Sequence, residues 1–138
     1  MKTFLSLLDG DAPPSQQQAL ASKELPQRLA ESKLRNWSPG MPISGQGERV
    51  LIGIATWSIY DLKLLDSVQD STVRFPTDRV IDVFDVDQCK SSEDFDLYVP
   101  GIGMVYQTPI VGVWRQGVKV SSAWGASGRE LLKEIGVI

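Results

Sequence analysis

Val50-Leu51-Ile52-Gly53-Ile54-Ala55-Thr56-Trp57-Ser58-Ile59-Tyr60-Asp61 is the stretch whose reading decides the fold. Its first half belongs to an apolar run over residues 49–55, rich in β-branched side chains. That run predicts a strand buried on both faces. Its second half opens a helix that starts at Ser58 or Tyr60 and continues to about Asp70. Leu62, Leu64, Leu65 and Val68 form the inner side of that helix. Ser58 is a favoured N-cap type, and Asp61 in the first turn complements the helix dipole.

Downstream, residues 79–86 predict a second strand, with Val80, Val83, Phe84 and Val86 apolar. Ser91-Ser92-Glu93-Asp94 reads as a helix start leading to Phe95, Leu97 and Tyr98, and Pro100-Gly101-Ile102-Gly103 ends it. Ile110-Val111-Gly112-Val113-Trp114 and Val118-Lys119-Val120 form an antiparallel hairpin about Arg115-Gln116-Gly117. Ser127 caps a last helix carrying Leu131, Leu132 and Ile135.

Upstream the pattern is looser. Residues 2–8 read as a short strand or a helix start, broken by Gly10-Asp11-Ala12-Pro13-Pro14. Ser15 caps a helix running toward Leu34, which Pro26 is expected to kink or divide. Ser38-Pro39-Gly40-Met41-Pro42 and Ser44-Gly45-Gln46-Gly47 form a loop. Residues 1–48 are thus expected to be a helical arm and linker, and residues 49–138 a domain of order β-α-β-α-β-β-α. Two strands joined by a helix make a parallel crossover, and a hairpin plus helix completes the sheet. The fold class is α/β: a three-layer sandwich in which helices flank a mixed β-sheet.

Composition narrows the function. A chain of 138 residues is most simply one domain that needs no disulfide or metal to fold. A net charge of −3 and the absence of a basic cluster argue against nucleic acid or anionic membrane as partners. The chain has no histidine, which removes the usual general base, metal ligand and pH switch together. Cys89 is the only cysteine, so no intramolecular disulfide can form and no cysteine-ligated metal site is expected. No run approaches the about 18 apolar residues of a membrane span. No signal-peptide pattern opens the chain, so the expected compartment is cytoplasmic. Gly101-Ile102-Gly103 lacks the third glycine of a dinucleotide fingerprint. Asp82, Asp85 and Asp87 read as an exposed polar strand end rather than a calcium loop. Neither a cofactor nor a metal is expected.

Over residues 49–137 the sequence resembles the thioredoxin family. The apolar strand runs into Ala55-Thr56-Trp57, where the family reads Ala-Glu-Trp or similar before its active-site helix. The second strand ends in Asp85-Val86-Asp87-Gln88, similar to the family's Val/Ile-Asp segment. Thr108-Pro109 precedes the hairpin, where the family has a cis-proline, so the resemblance implies that Pro109 is cis. Trp124-Gly125-Ala126-Ser127 stands where the family has a glycine before its last helix. The resemblance leaves the family's first strand and helix to residues 1–48.

The departures bear on function. Ser58 and Asp61 occupy the places of the family's Cys-x-x-Cys pair, and a serine hydroxyl cannot replace a thiolate in disulfide exchange. Ile52 stands where many members bury an acid, and without thiols to serve such an acid would only destabilise a core. The resemblance therefore implies a redox-inactive protein-binding or assembly module with no catalytic residues. Its expected partner is another protein or a second copy of itself. The residues expected to bind are Trp57, Ser58, Ile59, Tyr60 and Asp61 on one loop and Thr108 and Pro109 on the other. Two alternatives stand beside this: glutathione- or thiol-dependent chemistry using Ser58 or a redox-sensitive Cys89, and a structural subunit of a homo-oligomer.

Overall fold

The computed structural model describes residues 2–43 and 45–138. Ser44 in the expected loop and Met1 in the expected arm lie outside the described residues. Five strands form one mixed sheet in the order β1-β3-β2-β4-β5. They are β1 (Arg35–Asn36), β2 (Glu48–Ile54), β3 (Arg79–Asp85), β4 (Ile110–Arg115) and β5 (Val118–Trp124). The helices are α1 (Pro14–Ala30), α2 (Ile59–Ser71), α3 (Ser92–Tyr98) and α4 (Gly125–Glu134).

β2 lies at the centre, parallel to β3 and antiparallel to β4. Its alternating side chains therefore feed two cores. Val50, Ile52 and Ile54 join Leu25 and Leu29 of α1, Leu62 and Leu65 of α2, and Leu131 and Leu132 of α4. Leu51 joins Phe84, Ile110 and Trp114 under Tyr98 and Val99 at the end of α3. Helices on both faces of a mixed sheet give the three-layer α/β sandwich expected from the sequence. Gly53 is small for a packing reason: a Cβ there would stand 2.4 Å from the ring of Phe84.

Turn chemistry fixes the hairpin. Gln116 and Gly117 both take positive φ (51° and 80°), the pattern of a two-residue turn whose twist suits paired strands. β5 runs on to Trp124, past the Val120 expected from the sequence. The strand continues because Ser121, Ser122 and Ala123 pair with β4 although they look neutral in isolation.

The N-terminal residues differ in detail from their reading. Leu5–Leu8 form a 3-10 turn, neither strand nor α-helix. It is tied to α2 by the Asp66 carboxylate, which accepts from the Phe4 and Leu5 amides at 2.6 and 3.1 Å. α1 begins with Pro14 at its first position and Pro13 at its cap, two residues before the start that a Ser15 cap implies, and runs unbroken through Pro26. Leu25 and Leu29 are completely buried, and this tertiary packing outweighs the local effect of proline. Arg35 and Asn36 pair in parallel with Asp82 and Val83, so this segment supplies an edge strand of the sheet. α4 starts at Gly125 rather than after a Ser127 cap, because the Gly125 amide is already committed to the Pro109 carbonyl at 2.9 Å.

The aspartates of β3 are corrected as well. Asp82 is fully buried and Asp85 nearly so, not an exposed polar end. Asp82 is held by Arg49 at 2.6 Å and by Arg35 at 2.6 Å. The Arg49 guanidinium lies between the rings of Trp37 and Trp114, at 4.6 and 4.7 Å. No helix among the described residues is long and apolar enough to cross a membrane.

Candidate functional site

The C-terminal end of β2 delivers the chain into Ala55–Ser58, and the first turn of α2 follows. Ser58 acts as N-cap, its hydroxyl accepting from the Asp61 amide at 3.3 Å. The Asp61 carboxylate does not return to the cap. One oxygen accepts from the Ala55 amide at 3.0 Å and from the Thr108 hydroxyl. The other faces Arg129 of α4 at 3.3 Å. Asp61 is only 1% exposed, and it binds together the end of β2, the loop before β4 and the last helix. The sequence assigns Asp61 a dipole role and a place among the residues expected to bind a partner; the structure instead turns its carboxylate inward to Ala55, Thr108 and Arg129.

The Thr108–Pro109 peptide bond is cis. The Pro109 carbonyl takes the Gly125 amide, and a Cβ on Gly128 would stand 2.9 Å from that same oxygen. Glycine at 128 thus lets α4 back directly onto this loop.

Trp57 is 53% exposed, Ile59 51% and Tyr60 76%. Trp57 and Thr108 share the wall of a groove of about 350 Å³, completed by Val86, Phe95, Val105 and Tyr106. Ile59, Tyr60 and Pro109 do not line it. Tyr106 is exposed and meets Trp124 edge-on at 5.8 Å between ring centres. Phe95, Val105 and Tyr106 were not singled out from the sequence. For Val105 and Tyr106 the signal was the apolar triplet Met104-Val105-Tyr106 in a loop that ends three residues before Pro109.

Cys89 lies apart from the groove, half-buried against the core of Phe84 and Tyr98. Burial, with Asp94 and Asp85 nearby, pushes its thiol from 9.0 up to about 11. At neutral pH it is a protonated thiol, which is a poor nucleophile. Burial also raises Asp85 above the ordinary carboxylate range, partly offset by the Asp87 amide and the Ser22 hydroxyl. No group of three or more potential metal ligands occurs among the described residues.

No protein-family model matches the chain, and no curated protein matches it. Solved structures do. ERdj5 in crystal form II superposes with a TM-score of 0.52 at 16% identity, covering 85% of this chain. Full-length ERdj5 gives 0.52 at 16% identity over 91% of this chain. Human ERp44 gives 0.52 at 12% identity over 75%. The chain spans 14–17% of the ERdj5 chains and 28% of the ERp44 chain. At these identities the likeness concerns architecture, and on that ground this chain has the thioredoxin fold.

Proposed function

We propose that this protein is a redox-inactive thioredoxin-fold module that binds a protein segment. The observation that carries the reading is the division of labour at the old active-site loop. Ser58 and Asp61, at the two cysteine places, are engaged in a cap and a buried network. Trp57, Ile59 and Tyr60 beside them are left to solvent. Exposed aromatic side chains next to a groove match the composition of protein interfaces. An extended segment would lie along the groove between Trp57 and Tyr106, with its main chain beside Thr108.

The thiol-dependent alternative finds less support. The Ser58 hydroxyl is already an acceptor for the helix, and the Cys89 thiol holds its proton at neutral pH. Self-association remains an outcome of the test rather than a separate reading. The test has two arms. The purified protein is expected to reduce insulin disulfides no faster than background, and reduction above background would overturn the redox-inactive part. Trp57→Ala is expected to weaken a bound protein about tenfold or more, as for a central aromatic anchor. Binding unchanged by that substitution would overturn the placement of the site.

A further inference from the structure

The groove beside Trp57 has walls of unlike charge. Residues 55–60 and 100–110, which supply Trp57, Val105, Tyr106 and Thr108, contain no lysine, arginine, aspartate or glutamate. The remaining wall is the turn Val86–Gln88 together with α3, from which Val86 and Phe95 reach the groove. Residues 86–98 carry four carboxylates, Asp87, Glu93, Asp94 and Asp96, against one ammonium, Lys90. Asp87 follows Val86 in the chain, and Asp94 and Asp96 stand on either side of Phe95. Asp87, Glu93 and Asp96 are exposed.

That wall has no counter-charge of its own. Among the described residues none of the four carboxylates lies in an ion pair, whereas Glu48, Asp61 and Asp82 each face an arginine. The Lys90 ammonium donates to the Asp87 carbonyl at 3.2 Å. No lysine or arginine lines the groove. The field also reaches inward: after burial, Asp94 and Asp85 are what raise the Cys89 thiol. A partner segment that carries cations beside its buried residue gains on this wall and loses nothing on the uncharged ones, while an acidic segment is repelled. The floor sets the other requirement. Its volume of about 350 Å³ is at the low end of ligand pockets, and Trp57, Phe95 and Val105 make it apolar, so it suits one large apolar side chain. In an extended segment the neighbours of that side chain point away from the floor and are free to reach the rim.

We propose that the groove takes an extended protein segment in which one large apolar side chain has a lysine or arginine within two residues of it. The apolar side chain enters between Trp57 and Phe95, and the cation answers the carboxylates flanking Val86 and Phe95. This rests on the reading of the groove as a docking site, and adds to it the chemistry of the partner.

The test pans a phage-displayed library of random nonapeptides, at low ionic strength, on the full chain as wild type, as Trp57→Ala and as Asp87→Asn combined with Asp96→Asn. Asparagine keeps the oxygens that accept from the Ser22 hydroxyl and the Gly101 amide. Wild type is expected to select an apolar residue with lysine or arginine within two positions. Trp57→Ala should select none of these peptides, and the charge variant should keep the apolar residue and lose the excess of cations. The best wild-type peptide, remade with each lysine and arginine replaced by glutamate, should bind wild type about tenfold or more weaker by calorimetric titration. If the charge variant does not fold, that peptide comparison decides alone. Apolar peptides without an excess of lysine or arginine, still lost in Trp57→Ala, overturn this proposal and leave the docking groove standing. The same peptides selected by wild type and Trp57→Ala, or no peptide enriched at all, overturn the docking groove and this proposal with it.

Discussion

Asp61 bonds to groups 6, 47 and 68 residues away in sequence, on β2's end, the loop before β4, and α4. Removing it leaves the Ala55 amide and the Thr108 hydroxyl without partners, at about 1–3 kcal/mol for each buried group. Asp61→Ala is therefore expected to lower the urea midpoint by the equivalent of about 2–4 kcal/mol, with an unchanged slope. Asp61→Asn, which keeps an acceptor, should lose less. Cys89 makes a chemical prediction. With its thiol held near 11 against an ordinary 9.0, its alkylation by iodoacetamide should be slow at about pH 8. The rate should rise about tenfold per pH unit until the thiol ionises. The unfolded thiol ionises first, so the stability tied to Cys89 is full below 9 and fades as pH climbs toward 11. Fast alkylation at neutral pH would contradict the buried, protonated thiol. Asp85 is also raised, by burial, and its ionisation therefore weakens the fold. Stability tied to Asp85 is full below the ordinary carboxylate range and lost as pH rises through its folded value. Asp85→Asn is accordingly expected to melt higher than wild type at about pH 7, with the difference closing near pH 3. A melting temperature lowered equally at both pH values would contradict this.

The elements of the sheet show how far local pattern reaches. β2, α2, β3 and the hairpin were legible because each states itself within a few residues: an apolar β-branched run, a cap followed by inward leucines, a Gln-Gly turn. What was not legible depends on pairs distant in sequence. Arg49 begins an apolar strand and is only 1% exposed, which local pattern forbids. It is tolerated because Asp82 arrives on the neighbouring strand 33 residues later and two tryptophans close over its guanidinium. The Asp61 network escaped the sequence for the same reason. The Arg49 cluster is expected to be specific rather than strongly stabilising, since a buried ion pair must recover two desolvations. Its two terminal nitrogens have no hydrogen-bond partner among the described residues, which adds to that cost. Asp82→Asn strands the Arg49 charge and should lose about 3–5 kcal/mol by chemical denaturation. Arg49→Met combined with Asp82→Leu should recover most of that loss. A double variant as unstable as Asp82→Asn would show that shape, and not the uncompensated charge, sets the cost.

At the scale of the whole molecule, the fold is that of thioredoxin, and the chain's one cysteine lies away from the loop between β2 and α2. A fold carries many functions, so the argument for binding rests on the site and not on the likeness. That argument is the exposed Trp57 and Tyr60 beside a preformed groove, on a loop locked by Ser58 and Asp61. Both aromatic side chains are exposed, so Trp57→Ala with Tyr60→Ala should leave the melting temperature nearly unchanged. The decisive measurement is a quantitative capture of native partners by wild type and by this double variant, side by side. The account predicts at least one protein captured by wild type and depleted about tenfold in the variant. Partners captured equally by both would contradict it.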